Sequence, residues 1–429
     1  MREPVVIAGA GMGGLSASIA LGLRGQQSLL CERTPVFEEL GAGIQLGPNA
    51  TRILESWGLL GALMDVASSP THLEVFHGDQ QRPLATMELG AHFKRRYAAP
   101  YLTIHRADLQ TCLVQRLKSI GQTDLRMGRV LIDVQSQSDG VDIEWGAQES
   151  NQSHTQIENT PLHAPPTSTA SSVTHARALI GADGVSSQVR RICWPERHLL
   201  ASPHLAYRTT LAQRLLPLKL RHNSVRVYLG SGVHWVQYPV RAGEWLNMVA
   251  LIEVPSSRAL LESSRVEPLY QTWQEDIPWQ TTREHFKSAL TGAHANLKDL
   301  FQAVEGWSAW RLFDADPLRG PHQMVQGSVA LLGDAAHPML PFLAQGAGMS
   351  IEDAHSMAKF WCYQDQSVSE RLGAYAQERW QRNARVQSRA RANARIFHAT
   401  GWTATARDLG LRVLGQRLLD MPWLYGYSS

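Results

Sequence analysis

The chain opens with an apolar run, a glycine-rich turn and a second apolar run, the pattern of a strand, a helix and a strand. Residues 4–8 read PVVIA, residues 9–14 read GAGMGG, and QSLLCE follows at 27–32. Short continuous apolar runs are typical of buried parallel strands, because both faces of such strands are covered. The pattern predicts a βαβ unit whose helix ends near Gly25.

The next segments change from apolar runs to alternating and polar patterns. Residues 101–119 predict a strand end followed by a helix with Asp108 as its N-cap. Residues 125–145 predict two strands joined by a turn at 138–140. The stretch 147–175 is polar and rich in Ser, Thr and Pro, so we expect a long exposed or disordered loop there. It would be tolerated surface decoration, with a regulatory or partner-binding role as the alternative.

Residues 200–255 alternate apolar and polar positions and are rich in aromatic residues, which predicts antiparallel strands of a separate sheet. Residues 265–306 look helical, 329–354 read as an apolar strand, a loop and a helix, and 369–420 look helical almost to the end. The pattern therefore predicts an α/β protein, in which a nucleotide-type domain is built from discontinuous pieces with a second sheet inserted between them.

The composition narrows the class of protein. The 429 residues are 44% hydrophobic and 18% charged with a formal net charge of +3, values ordinary for a soluble globular chain. This net charge argues neither for nor against nucleic-acid binding, and we expect no nucleic-acid partner. No apolar run is long enough for a membrane helix, and the first residues do not resemble a signal peptide. Four cysteines without a C-x-x-C pair favour a cytoplasmic protein with no zinc or other metal site.

The strongest single motif is the fingerprint Gly9-x-Gly11-x-x-Gly14, directly after a strand and at the start of a helix. Glycines at these positions allow a tight turn, a close approach of the backbone to a pyrophosphate and close helix packing. Glu32 ends the second strand, where a carboxylate can bind ribose hydroxyls. The combination predicts dinucleotide binding, and a second fingerprint for a second dinucleotide domain is absent from the sequence.

Two further strands end in an acid. ALIGADG places Asp183 after one apolar run, and ALLGDAAHP places Asp334 after another. Either acid alone could simply cap the helix or turn that follows.

The three motifs in this order resemble the single-component (group A) FAD-dependent aromatic hydroxylases, over nearly the whole chain. The details look closest to the salicylate hydroxylase and 3-hydroxybenzoate 6-hydroxylase branch. The segments that carry this resemblance are GAGIQLGPNATRILESWGLL (41–60), HRADL (105–109), AYRTT (206–210), HWVQYPVRAGEWLNMVALIE (234–253), LLGDAAHPMLPFLAQGAGMSIEDA (331–354) and WLYGYSS (423–429).

The resemblance implies a Rossmann-like FAD-binding domain, an inserted antiparallel-sheet substrate domain and C-terminal helices. The FAD-binding pieces would be 1–70, 98–190 and 325–368, the substrate-domain pieces 71–97 and 191–324, and the C-terminal helical region 369–429. The implied reaction is hydroxylation of a small phenolic aromatic acid by NADH or NADPH and O2, through a flavin C4a-hydroperoxide.

The resemblance also assigns roles to single residues. Glu32 would hold the adenosine ribose, Arg33 would lie beside the adenine, and Val130 would offer its backbone there. Arg106 would reach the flavin and pyrophosphate region, Asp183 would serve FAD and nicotinamide binding, and Asp334 would bond the ribityl or pyrophosphate end. The helix start at Gly346, Ala347, Gly348 and Met349 would present amides to the flavin pyrimidine ring.

Candidates for the substrate chemistry lie mainly in VHWVQYP. His234, Val236 and Tyr238 share one face of a predicted strand, and a histidine titrates near the operating pH. We therefore expect His234 to be the base and Tyr238 to lie beside it, although a buried, hydrogen-bonded histidine is the alternative. Gln45, expected in the cofactor site, stands where some family members carry a catalytic histidine.

Other residues allow two interpretations. Pro341 replaces a glutamine of some 3-hydroxybenzoate-type relatives, and Arg208 could bind a substrate carboxylate or lie on the surface. His337 beside the flavin loop is expected to be structural. The basic stripe of the C-terminal helix predicts either a solvated face or a dimer or anionic-surface contact; it comprises Arg382, Arg385, Arg389, Arg391 and Arg395.

Three alternative functions fit the same motifs. The substrate could be a larger aromatic, such as a quinone precursor or a natural product. The chain could instead be a non-hydroxylating flavoprotein that binds FAD without turnover, or a flavin oxidase that acts on an amine without NAD(P)H.

Overall fold

A computed structural model of the chain describes residues 3–37, 43–78, 80–147, 171–254, 274–275, 277, 279–304 and 306–427. The strands are β1 (Val5–Ala8), β2 (Ser28–Cys31), β3 (Gly43–Leu46), β4 (His72–His77), β5 (Ala85–Glu88), β6 (Leu102–His105), β7 (Thr123–Arg126), β8 (Arg129–Ser136), β9 (Val141–Ala147), β10 (Ser172–Ala176), β11 (Ala178–Gly181), β12 (Leu200–Ala212), β13 (Ser224–Gly230), β14 (Val233–Val240), β15 (Trp245–Glu253), β16 (Gln274–Glu275), β17 (Ser308–Asp314), β18 (Val325–Gln326) and β19 (Val329–Leu331). The α-helices are α1 (Met12–Gly22), α2 (Pro48–Ser56), α3 (Leu60–Val66), α4 (Ala91–Tyr97), α5 (Arg106–Ile120), α6 (Gln188–Cys193), α7 (Trp279–Ala289), α8 (Ala295–Gln302), α9 (Gly346–Trp361), α10 (Val368–Phe397), α11 (Gly401–Leu414), α12 (Gln416–Leu419) and α13 (Pro422–Tyr425).

A six-stranded sheet in the order β18-β19-β11-β1-β2-β7 forms the nucleotide-type half of the molecule. All of its pairings are parallel except that of β18 with β19. Val5 pairs with Ala178 on one side and Ser28 on the other, and every residue of β1, β2 and β11 is buried. Burial on both faces explains why these strands are continuous apolar runs.

A second sheet of eight strands, in the order β16-β17-β12-β15-β14-β13-β4-β5, covers the other half. Its pairings are antiparallel apart from the parallel contact of β13 with β4. A three-stranded antiparallel sheet, β10-β9-β8, and the antiparallel pair β3-β6 complete the strand pairings of the described residues. The predicted fold class is confirmed, whereas the exact division of the chain into domain segments stays a prediction.

Three local predictions were wrong. Helix α5 begins at Arg106 with His105 as its N-cap, so Asp108 lies inside the first turn. Helix α1 ends at Gly22, and Gly25, with φ of 72°, belongs to the turn that follows. The loop predicted at 147–175 was too long at both ends, because Ala147 ends β9 and Ser172 begins β10. Residues 148–170 lie outside the described residues.

A largely buried charge cluster joins α9 to α10. Arg379 contacts Glu352 at 2.8 Å and Asp353 at 2.8 Å, and Arg382 contacts Glu352 at 2.6 Å. His337 Nε2 lies 2.5 Å from Asp353 Oδ2. These neighbouring cations hold the pKa of Asp353 far below its usual range despite burial. His337 is thus bound into the cluster, which agrees with the structural role expected for it.

The predicted basic stripe of the C-terminal helix is not one uniform surface. Arg382 donates to the carbonyls of Trp423 and Leu424 and so fastens the end of the chain to α10. Arg391 Nε donates to Asp314 Oδ2 at 2.6 Å. The prediction of a single solvated or docking face was therefore wrong, because only the remaining three are exposed: Arg385, Arg389 and Arg395.

Candidate active site

A cavity of about 590 Å³ lies between the carboxyl ends of β1, β11 and β19 and one face of the eight-stranded sheet. It runs from the glycine-rich turn to the strands β12, β14, β15 and β17. Thirteen of the predicted site residues line it: Gly9, Gly11, Glu32, Arg33, Gln45, Arg106, Val130, Asp183, His234, Tyr238, Asp334, Gly346 and Ala347. The other three predicted residues, Gly14, Gly348 and Met349, lie behind the cavity wall.

The glycine-rich turn owes its shape to close backbone packing. Gly9 has φ of 96°, and a Cβ there would lie 2.6 Å from the carbonyl oxygen of Ala182. A Cβ on Gly14 would lie 1.8 Å from the carbonyl oxygen of Gly9, so Gly14 allows α1 to pack on the turn. Gly11 has open space around it and faces the cavity at the N-cap of α1. A helix start of this kind can accept a phosphate.

The side chain of Glu32 is held in the turn. Its Oε2 accepts a hydrogen bond from the amide of Ala10 at 2.7 Å, and its Oε1 accepts from the amide of Thr34 at 2.9 Å. Arg33 is exposed at the rim of the cavity, and Val130 on β8 is half-buried in its wall. The three residues are thus together at one end, as the assignment to the adenosine part of FAD requires.

Asp183 caps a helix and also lines the cavity. Its carboxylate accepts hydrogen bonds from Ser187 Oγ at 2.5 Å and from the amides of Gln188 and Val189 at 2.7 and 3.1 Å. Burial raises the pKa of this carboxyl, and these donors oppose the rise. The capping alternative describes the observed contacts, and a role in FAD or nicotinamide binding stays a prediction.

Asp334 presents a desolvated carboxylate to the cavity. Burial raises its pKa, against the pull of His337, Arg106 and Arg190. Within the described ranges its side chain makes no hydrogen bond, and its Oδ1 lies 3.6 Å from where a Cβ of Gly346 would be. A half-buried acceptor without a donor suits a hydroxyl-bearing ligand.

Helix α9 begins beside Asp334. Gln345 is its N-cap, so the amides of Gly346, Ala347 and Gly348 have no partner inside the helix. The amide of Met349 donates to the carbonyl of Gln345 at 2.8 Å. The prediction that Met349 offers an amide to the flavin is therefore wrong, because that amide is the first one used by the helix itself.

His234, Val236 and Tyr238 all line the cavity from one face of β14. His234 is only 1% exposed, and its Nδ1 lies 2.8 Å from Nε2 of His398. Burial, together with His398 and His204, holds the pKa of His234 well below its ordinary value. The imidazole is neutral at pH 7 and has Nε2 left for another partner.

Tyr238 and Gln45 lie where the two halves of the cavity meet. Burial raises the pKa of Tyr238, so its hydroxyl is protonated at neutral pH. Tyr101 donates to Gln45 Oε1 at 2.7 Å. The amide of Gly43 donates to Asn247 Oδ1 at 2.8 Å, which ties β3 to β15.

For Arg208 the sequence allowed two interpretations, a carboxylate-binding residue or a surface residue. It lies on β12, lines the cavity and places its guanidinium carbon 5.4 Å from the ring centre of Trp310. Its Nε is buried and, among the described residues, has no hydrogen-bond partner. Burial lowers the pKa of this guanidinium. The surface alternative is wrong, since the side chain is half-buried and lines the cavity.

Sequence reasoning missed several other residues of the cavity. Trp310 and Leu312 on β17 and Arg191 on α6 line the cavity, and His398 contacts His234 from the end of α10. They reach the cavity through sheet pairing and helix packing over long stretches of chain. Only Arg191 had a signal, the basic helix start that follows Asp183.

One group in the described part of the chain has a geometry that could hold a cation. One ligand atom from each of His204, Glu253 and His398 lies within 4.8 Å of the other two.

The cavity residues fit FAD at the end formed by the central sheet. An open helix start at Gly11, a carboxylate at Glu32 and an unpaired carboxylate at Asp334 offer partners for a pyrophosphate, a ribose and a ribityl chain. The free amides at the start of α9 add donors and a partial positive charge. Arg106 supplies a cation between these groups.

Comparison with known proteins agrees with this fit. A family model described as an FAD binding domain matches residues 2–390. The chain belongs to this FAD binding domain family. The match covers the glycine-rich turn, both acidic strand ends and the inserted sheet.

Two curated relatives extend over the full chain. It is 32% identical over 432 residues to 3-hydroxybenzoate 6-hydroxylase 1 of Aquipseudomonas alcaligenes, covering 100% of this chain and 99% of the relative. It is 30% identical over 430 residues to 3-amino-4-hydroxybenzoate 2-monooxygenase PtnB3 of Streptomyces platensis, covering 100% and 97%. A solved salicylate hydroxylase substrate complex shares the fold, with a TM-score of 0.75 at 22% identity over 100% of this chain and 96% of that one.

These findings confirm the predicted resemblance to the aromatic hydroxylases, the predicted enzyme class of NAD(P)H-dependent flavoprotein monooxygenase and the predicted cofactor FAD. No helix among the described residues is both long enough and apolar enough to span a bilayer.

Proposed function

We propose that the protein hydroxylates a small phenolic aromatic acid of the salicylate or 3-hydroxybenzoate type, using NADH or NADPH and O2. The observation that carries the proposal is the cavity end in which an unpaired arginine and a neutral histidine line one sheet face. An aromatic acid with a hydroxyl has one group for each of them. The names of the two curated relatives point to the same class of substrate.

Sheet register supports the proposed roles of Arg208 and His234. Arg208 pairs with Val249 on β15, and Leu251, two residues further along, pairs with His234 on β14. Two strand spacings and two residues of rise put their Cα atoms about 12 Å apart. Both side chains lie on the same sheet face, and this separation leaves room for one substituted benzene ring between them.

Arg208 is the proposed anchor for the substrate carboxylate. Burial removes hydration from its guanidinium, and its Nε–H has no acceptor among the described residues. A carboxylate accepts charge-assisted hydrogen bonds from such a group, and the bidentate geometry fixes the plane of the acid. Stacking on Trp310 holds the guanidinium in place.

His234 is the proposed base for the substrate hydroxyl. Its Nδ1 is engaged by His398, so Nε2 is the nitrogen available to accept the phenolic proton. A phenolate is more electron-rich than a phenol and is the better nucleophile for hydroxylation. Tyr238, two residues along on the same face, keeps its proton and can donate a hydrogen bond to the substrate.

Apolar side chains complete the substrate end. Val236, Val249, Leu251 and Leu312 line it from the sheet, and Pro341 closes it from the loop before α9. Such walls exclude water from the reacting groups. Pro341 fixes φ at the start of a short 3-10 turn, which stiffens that wall.

Bound FAD supplies hydride acceptance from NAD(P)H and activation of O2. Asp334 and the free amides at the start of α9 would hold the flavin end next to the substrate cavity, whereas Gly11, Glu32, Arg33 and Val130 would hold the adenosine end. The division into FAD-binding, substrate and C-terminal segments, a cytoplasmic location and a homodimer remain part of this proposal.

A paired substrate panel tests the proposal. Salicylate, 3-hydroxybenzoate and 3-amino-4-hydroxybenzoate are compared with the corresponding phenols that lack the carboxylate, and NAD(P)H oxidation and hydroxylated product are both measured. We expect at least one acid to yield product in proportion to the NAD(P)H consumed, and its uncharged partner to react far less. Product from large neutral aromatics alone would favour the alternative substrate class.

A further inference from the structure

Three histidines and one glutamate line up on the side of the substrate cavity that faces away from the FAD end. His204 pairs with Glu253, and Leu251, two residues before Glu253, pairs with His234. Paired residues and residues two apart share a sheet face, so His204, Glu253 and His234 lie on the same face of three adjacent strands. His398 comes to this face from the end of α10.

The contacts between these groups are consecutive. His234 Nδ1 lies 2.8 Å from His398 Nε2. The rings of His398 and His204 meet edge to face at 4.6 Å between centres. One ligand atom from each of His398, His204 and Glu253 lies within 4.8 Å of the other two, a gap of about one bridging water at most. His204 Nδ1 is 2.9 Å from Ser202 Oγ, which orients that ring.

We propose that His398 and His204 form a proton path from His234 to Glu253, which carries the phenolic proton of the substrate out of the cavity. The inference rests on the proposed function of His234 as the base. The path starts from the tautomer in which His234 donates its Nδ1–H to Nε2 of His398. As Nε2 of His234 takes the phenolic proton, its Nδ1 proton moves to Nε2 of His398, and the Nδ1 proton of His398 leaves toward His204 and Glu253.

The burial of His234 explains why a proton path is needed. His234 is enclosed by Phe342 and Phe397, with ring centres 4.9 and 5.2 Å from its own. Phe342 also contacts the rings of His204 and His398, at 5.4 and 5.6 Å. An imidazolium trapped among these rings would be poorly solvated, so a base at this position works only if the proton moves on.

The charges around the group favour the same direction of transfer. Burial lowers the pKa of His398 to about 3, with His204 and Arg407 adding to the effect. The pKa of His204 is lowered by burial and raised by Glu253, the one acid among the groups that perturb these three histidines. Positive charge is therefore disfavoured at His234 and His398 and best tolerated beside Glu253, which is half-buried.

The test follows proton transfer in the oxidised holoenzyme. Rapid mixing with a phenolic acid substrate at pH 7 records the phenolate by near-ultraviolet absorbance, and a pH indicator in weak buffer records proton release. His398→Ala is compared with wild type, with His204→Gln and with His285→Gln. His285 is a suitable control, because its pKa is also lowered by burial but its contacts are with Tyr207, away from the cavity.

For His398→Ala we expect at least tenfold slower phenolate formation with unchanged substrate affinity, and recovery on addition of imidazole. His204→Gln should slow proton release more than phenolate formation, and His285→Gln should match wild type. A His398→Ala rate within twofold of wild type, or a loss that imidazole does not restore, would overturn the path. A divalent cation found in stoichiometric amount in the holoenzyme would also overturn it, since the cation would occupy the same ligands.

The design separates this inference from the proposed function. Absence of phenolate with every aromatic acid in wild-type protein would refute the proposed function itself. Normal phenolate formation in wild type together with normal rates in both path variants would refute only the proton path.

Discussion

Replacing Arg208 by Gln should weaken binding of the acid substrate without unfolding the protein. Arg208 is desolvated, and its Nε has no partner in the described part of the chain, so a substrate carboxylate would be its main polar contact. A hydrogen bond to a charged group contributes about 1.5–3 kcal/mol. At about 1.4 kcal/mol per factor of ten, the loss corresponds to a roughly 10- to 150-fold rise in KM.

The assay is a cycle of two enzymes and two substrates. Steady-state NAD(P)H oxidation and product formation are measured for wild type and Arg208→Gln, each with the acid and with the phenol that lacks its carboxylate. The KM of wild type should rise by a similar factor when the substrate lacks its carboxylate. For Arg208→Gln, the KM values of the acid and of the uncharged phenol should differ little. Arg208→Lys should recover part of the affinity, because it restores the charge without the bidentate geometry.

Arg214→Gln is the matched control, because Arg214 is exposed and lies just after the same strand. If Arg208→Gln weakens the acid and the uncharged phenol by equal factors, the side chain supports the cavity without binding the carboxylate. That result would refute the reasoning.

Four further changes have expected outcomes. Asp334→Ala should lower FAD content, read as flavin absorbance per purified protein, and full occupancy at sub-micromolar FAD would contradict its assigned contact. Arg379→Met should cost about 3–5 kcal/mol of unfolding free energy, because it leaves Glu352 and Asp353 buried without their partner. The matched change at an exposed position, Arg389→Met, should cost under about 0.5 kcal/mol. Urea unfolding of the two variants measures both losses. The folded-state pKa of His398 is about 3 against an ordinary 6.5, so its contribution to stability is complete above pH 6.5 and is lost at about 1.4 kcal/mol per pH unit as the pH falls below that value. In urea unfolding, His398→Phe should therefore reduce the loss of unfolding free energy between pH 7 and 5. An unchanged dependence of the unfolding free energy on pH would contradict the neutral histidine. Replacing residues 150–168 by a short Gly-Ser linker should leave soluble expression and turnover near wild type, because Trp145 and Ser172 on the flanking strands are paired with each other. Loss of soluble protein would refute the exposed-loop prediction.

Short-range patterns were sufficient for the elements that form the FAD end. The apolar runs of β1, β2 and β11 are buried on both faces, and the glycine at position 14 follows from a backbone contact with Gly9 a few residues away. Alternation on β14 correctly predicted that His234, Val236 and Tyr238 share the cavity face. Each of these features depends on local geometry.

The features that sequence reasoning missed depend on long-range packing. His398 is far from His234 along the chain, and only the path of α10 brings the rings together. Whether Arg208 was buried depended on the pairing of β12 with β15 and β17, which no local pattern reports. The start of β10 was hidden for another reason, since its residues SVTHA continue the polar composition of the preceding segment.

The most direct test of the central claim is the fate of labelled oxygen. Holoenzyme, NAD(P)H and a phenolic aromatic acid that stimulates NAD(P)H oxidation are incubated under ¹⁸O₂, and the aromatic product is analysed by mass spectrometry. The account predicts one ¹⁸O atom in the product for each NAD(P)H oxidised. Aromatic acid recovered unchanged, with all the reducing equivalents appearing as hydrogen peroxide for every acid tested, would contradict it.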